Sequence, residues 1–77
     1  MVRKSRKMQY VARSGKKQWK PSIEHAMVLS KNYEGFCLTC GKTQSGVEPD
    51  ARRYTCESCG SAKVYGAEQL VLMGLVF

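Results

Sequence analysis

A chain of 77 residues with six acidic residues, one histidine and no long apolar segment has few routes to function open to it. Its longest apolar stretch, Leu70 to Phe77, is eight residues including Gly74, whereas a membrane-spanning helix needs about 20. Residues 1–20 are basic and lack an apolar stretch of signal-peptide length. These two absences predict a cytoplasmic protein with no membrane association. A single histidine, His25, excludes a Ser-His-Asp arrangement unless it is itself the base, and its bland reading is a surface or packing residue. Glu48, Asp50, Glu57 and Glu68 are scattered, with no spacing that pairs them for acid–base work. No glycine loop follows a strand and opens a helix to cradle a phosphate. The expectation is a non-enzymatic protein without a small-molecule substrate. At this length a single apolar core rarely supplies more than roughly 3–5 kcal/mol, so a staple of another kind is needed.

Cysteine supplies it. The four cysteines stand as Cys37-Leu38-Thr39-Cys40 and Cys56-Glu57-Ser58-Cys59, fifteen residues apart, each pair followed by glycine (Gly41 and Gly60). A CxxC turn brings two sulfurs to one side, and two such turns complete a tetrahedron around one metal ion. Cys37, Cys40, Cys56 and Cys59 are therefore the candidate ligands of one structural zinc. A single rubredoxin-like iron, a pair of disulfides and redox use are the rivals. Rubredoxins separate their knuckles by a longer segment, disulfides require an oxidising compartment, and neither CxxC opens a helix in a βαβ setting. Four thiolates also fill the tetrahedron and leave no position for an activated water.

Two CxxCG knuckles flanking a hairpin resemble the zinc-ribbon family, over about half the chain, Phe36 to about Met73. The stretch Val47 to Arg53 and the segment Val64 to Glu68 also look like those of small phage and prophage ribbon proteins. The resemblance implies a small metal-stabilised, mainly β fold with a three-stranded antiparallel sheet over 36–77, preceded by a basic N-terminal extension. Turn chemistry at Ser45-Gly46 and Glu48-Pro49-Asp50 fits this layout. Arg52-Arg53-Tyr54-Thr55 reads as the returning strand, and Lys63 to Gly66 and Gln69 to Met73 as closing strands. Upstream, Ser22 is a candidate N-cap for a short helix ending near Asn32, so residues 21–35 are a short helix or linker. Residues 1–20 have too few apolar groups for a core of their own and read as a flexible arm, with a short strand at Gln9–Ala12 and a turn at Ser14-Gly15.

The charge is one-sided. Residues 1–36 hold nine Lys or Arg against two acids, and residues 37–77 hold four of each, so the whole formal excess of +7 precedes the cysteines. Two clusters, Arg3-Lys4-Ser5-Arg6-Lys7 and Lys16-Lys17-Gln18-Trp19-Lys20, each lie near an aromatic residue. Cations neutralise phosphates and an aromatic ring can stack on an unpaired base. The nucleic-acid-binding candidates are Arg3, Lys4, Arg6, Lys7, Arg13, Lys16, Lys17, Trp19 and Lys20, with Arg52 and Arg53 on the hairpin between the knuckles. The leading expectation is a nucleic-acid-binding protein, on DNA or RNA. The alternative is a protein–protein module, such as a phage-encoded regulator or inhibitor of a host polymerase or nuclease, suggested by the surplus apolar tail. A ribosome-associated protein would share the same features.

Overall fold

The computed structural model describes residues 6–77. Two strands, β1 (Lys7–Val11) and β2 (Lys17–Pro21), form an antiparallel hairpin, and helix α1 (Ile23–Lys31) follows directly. Strands β3 (Glu34–Cys37), β4 (Thr43–Ser45) and β5 (Val64–Gly66) form a second antiparallel sheet in the order β4-β3-β5. Helix α2 (Ala67–Leu72) continues straight out of β5.

Strand alternation divides the interior in two. Along β3 and just beyond it, Phe36 and Leu38 face one way and Cys37 the other; along β5, Tyr65 and Val64 do the same. On the helical side, Phe36, Leu38 and Tyr65 pack with Ala26 and Leu29 of α1 and Ala67 and Leu70 of α2. On the opposite side, Cys37, Val64, Val47, Ala51 and Cys56 form a smaller cluster that includes two of the four sulfurs. The metal-ligand candidates are thus built into the back of the sheet that the helices cover from the front.

Helix α1 begins as its sequence predicts. The Ser22 hydroxyl accepts from the His25 backbone N–H at 3.1 Å, Glu24 lies in the first turn and Lys31 in the last, and Asn32 caps the end. These are the side-chain and dipole preferences of helix termini. His25 packs edge-on against Phe36, ring centroids 6.1 Å apart, consistent with the packing reading.

Three expectations are corrected. Gln69 to Met73 is not a strand: an apolar run suits either period, and here burial falls at Ala67 and Leu70 while Val71 and Leu72 are exposed. The helix closes with a paired C-terminal motif, Gly74 N–H to Val71 C=O at 3.0 Å and Leu75 N–H to Leu70 C=O at 2.9 Å, the Schellman pattern. Arg52 to Thr55 is not a strand either. Only Tyr54 bridges to Val64, and Arg53 adopts a left-handed backbone (φ 56°) that takes the chain out of extended geometry.

The described part of the basic arm, third, is not free of the fold. β2 is anchored where Trp19 N–H donates to Leu38 C=O at 2.8 Å, and Ser22 N–H donates to Arg6 C=O at 2.8 Å. Trp19 packs against the helical-side cluster. The segment has too little apolar surface for a separate core, but Trp19 lets it share one. The tail joins the same assembly: Ile23 N–H donates to Phe77 C=O and Phe77 N–H to Pro21 C=O, and Leu75 and Val76 pack against the cluster.

Candidate metal centre and cationic groove

The two knuckles repeat one backbone pattern. Gly41 N–H donates to Cys37 C=O and Gly60 N–H to Cys56 C=O, both at 2.9 Å. Cys37 N–H reaches Lys42 C=O at 2.9 Å, and Cys56 N–H reaches Ser61 C=O at 2.8 Å. Both glycines are left-handed, at φ 76° and 79°, which lets the chain double back immediately beneath the sulfurs. In the second knuckle the N–H groups of Ser58 and Cys59 both point at Cys56 Sγ, each at 3.4 Å. Gln44 of β4 clamps this knuckle from outside, donating to Thr55 C=O at 3.1 Å and accepting from Glu57 N–H at 3.0 Å. Nothing in the sequence singles out Gln44, because its role depends on β4 lying beside the second knuckle.

The four sulfurs converge. Cys37 Sγ lies 3.6 Å from Cys59 Sγ, and Cys40 Sγ lies 3.7 Å from Cys56 Sγ; all four fall within 4.8 Å of one another. Metal–sulfur bonds of about 2.3 Å in a tetrahedron give sulfur–sulfur edges of about 3.8 Å, so the cluster has the dimensions of a site for one ion. Burial grades across it, with Cys37 and Cys56 buried, Cys40 intermediate and Cys59 exposed.

The thiols divide by environment. Burial, partly opposed by the backbone N–H groups of Cys40 and Thr39, pushes the Cys37 thiol up to about 12. Burial also raises Cys40. Hydrogen bonds from the backbone of Cys59 and Ser58 hold Cys56 down at about 6, and the Ser61 backbone lowers Cys59. Each knuckle sulfur thus already has amide donors directed at it or a buried position behind it, the setting that favours thiolates against a dication.

A second feature lies between the hairpin and the knuckles. An open groove of about 560 Å³ is walled by Lys16 and Lys17 on the hairpin, Arg53 ahead of the second knuckle, and Lys63 beyond it. Ser14, Gln18, Thr39 and Ser61 add neutral hydrogen-bonding groups, and no acidic or aromatic side chain lines it. Arg53 reaches this position through its left-handed backbone, a conformation that costs a non-glycine residue about 1–2 kcal/mol.

The other candidates fall elsewhere. Arg3 and Lys4 lie outside the described residues. Arg6 and Arg13 are exposed but do not line the groove, and neither does Arg52. Lys7 is turned inward: its ammonium lies 5.0 Å from the centre of the Trp19 ring and donates to Gly41 C=O at 3.2 Å. Lys20 lies 5.2 Å over the Tyr10 ring. Trp19 is half-buried between the core and the first knuckle, where Gly41 lies directly against its ring. Lys63 is the groove cation that sequence reading missed; it is an isolated lysine and becomes notable only when the fold places it beside Arg53.

Among the described residues, no helix is long and apolar enough to cross a membrane. No protein-family model, curated protein or solved structure matches the chain.

Proposed function

We propose that this chain is a small, non-enzymatic module of zinc-ribbon type that binds the phosphate backbone of nucleic acid through the groove between its hairpin and its knuckles. Four sulfur ligands complete the tetrahedral coordination of one structural zinc and leave no position for substrate or water. The metal's work is to hold the groove's walls in register, since Thr39 and Ser61 belong to the two knuckles themselves.

One observation carries the reading: Lys16, Lys17, Arg53 and Lys63 converge with no carboxylate among them. Four thiolates around a dication leave a local charge of −2, so four cations exceed what the neighbouring metal site would neutralise. The surplus fits an external polyanion. Without a stacking aromatic in the groove, its contacts are to phosphates and carry little sequence preference.

Binding of a labelled oligonucleotide to the zinc-loaded chain, followed by fluorescence anisotropy across salt concentrations, tests this. If all four cations meet phosphates, the log–log salt slope is about −3.6 on duplex DNA and about −2.8 on a single strand. Replacing Lys63 or Arg53 with Gln should weaken binding and reduce the magnitude of the duplex slope by about 0.9 each. Substitution of Arg52, which lies outside the groove, should change the slope less. Absence of binding at low salt, or a slope unmoved by both groove substitutions, would refute the proposal.

A further inference from the structure

The outer face of the two helices presents apolar side chains that no described residue covers. Ile23 and Met27 of α1 are 54 % and 59 % exposed, and Val71 and Leu72 of α2 are 54 % and 81 % exposed. Between them runs a groove of about 390 Å³, floored by the buried Ala26 and Ala67. On the other flank of Met27 lies a shallower depression bordered by Glu24, Val28 and Lys31. Met27 is therefore a ridge with an apolar groove on one side and a charged-edged hollow on the other.

We propose that a second copy of the chain occupies this face, related by a two-fold axis that sets the two α1 helices antiparallel. The charges on α1 are arranged for it. Glu24 and Lys31 are two helical turns apart on one face of α1, with Met27 and Val28 midway. An axis through that midpoint brings Glu24 of each copy to Lys31 of the other, so one pair of residues supplies two ion pairs, as an isologous interface requires. The same operation can lay each Met27 ridge into the other copy's groove, where an unbranched thioether side chain adapts to the available space.

The area sets the strength. Ile23, Met27, Val71 and Leu72 expose on the order of 400–500 Å² of apolar surface per copy, an upper-end patch for a lone small protein. Two such patches and their polar rim reach about 1,200 Å² in total, the lower end for a specific interface. The dimer is accordingly weak and concentration-dependent, with a dissociation constant on the order of 10–100 µM.

Sedimentation equilibrium of the zinc-loaded full chain, from about 10 to about 500 µM to bracket that constant, tests the proposal. The expected mass rises from 8.7 kDa toward twice that value. Met27→Glu should remain monomeric throughout while keeping the wild-type circular dichroism spectrum, because the side chain it replaces is mostly outside the fold. Glu24→Lys should weaken association at least tenfold by setting like charges together at both ends, and the double exchange Glu24→Lys with Lys31→Glu should restore it. That rescue distinguishes an antiparallel two-fold contact from unoriented clustering. A monomer at every concentration would overturn the proposal and leave the face to a different protein. Dimers that survive Met27→Glu, or that the double exchange fails to restore, would overturn the arrangement.

Discussion

Gly41 and Gly60 occupy equivalent positions in two near-identical knuckles, and the fold makes them unequal. Each has a positive φ and donates its N–H to the first cysteine of its knuckle, so replacing either with Ala forces a side chain into a left-handed backbone at about 1–2 kcal/mol. Around Gly60 a Cβ would meet nothing within 4 Å; at Gly41 it would lie 3.0 Å from Trp19 Cγ and 3.2 Å from both Cδ and Nζ of Lys7. Gly41→Ala must therefore also displace the hairpin's main anchor, an overpacking penalty of about 1–3 kcal/mol. Gly60→Ala should lower stability by about 1–2 kcal/mol, and Gly41→Ala by about 1–3 kcal/mol more. Asparagine tolerates the left-handed region, so Gly60→Asn should be nearly neutral whereas Gly41→Asn should not. Because metal binding and folding are coupled, the comparison is made by thermal unfolding in excess zinc and by competition with a zinc-binding dye. Equal losses at the two sites would show that the hairpin does not bear on the first knuckle, and Trp19 would then have no structural role at that contact.

The remaining predictions concern the same supports. Trp19→Ala should lower stability by about 2–3 kcal/mol, somewhat below the range for a fully buried Trp; a variant that loses oligonucleotide affinity at unchanged stability would instead make Trp19 a base-stacking residue. His25 has its pKa lowered, chiefly by burial, and its Nδ1 is buried without a partner. The unfolded chain, titrating near 6.5, then binds the proton more readily than the fold does. Stability is thus intact above about 6.5 and declines as pH falls from there toward the lower folded value. His25→Gln should flatten this decline in denaturant titrations at fixed pH, and an unchanged pH profile would refute the assignment. Chelation of the metal should unfold the sheet and knuckles cooperatively, read as loss of amide-exchange protection at Cys37, Cys56 and Val64; retained protection would mean that the apolar clusters suffice alone.

Features set by local chemistry are legible in the sequence alone. The paired CxxCG spacing predicts four converging sulfurs, and the sulfurs converge. The Ser22 cap and the Asn32 end predict α1, and Ser14-Gly15 and Glu48-Pro49-Asp50 predict turns that are present, the latter closed by Ala51 N–H donating to Glu48 C=O. Sequence misleads where two periods fit equally well. Leu70 to Met73 suits a strand by composition, and its helical state is decided by Leu70 fitting between Phe36 and α1. Arg52 and Arg53 look alike in sequence, but the left-handed turn at Arg53 sends one to the groove and leaves the other outside it.

The basic segment's own apolar content is the more misleading guide, because a core is a property of surfaces that meet. Trp19 and Leu38 are nineteen positions apart in sequence, and neither predicts the other. Once the Trp19 amide bonds to Leu38 and the ring lies against Gly41, the hairpin becomes a wall of the metal module. Charges counted as one N-terminal excess then divide into two populations. Lys7 and Lys20 lie over aromatic rings, whereas Lys16 and Lys17 line the groove with Arg53 and Lys63, two cations from the half of the chain with no net charge. Deleting residues 1–20 would consequently remove a wall, a core residue and two groove cations at once, and a loss of binding after that truncation would not distinguish among them. Single substitutions at Lys16, Lys17, Arg53 and Lys63 do, because each changes one charge while leaving the contact between Trp19 and the first knuckle in place.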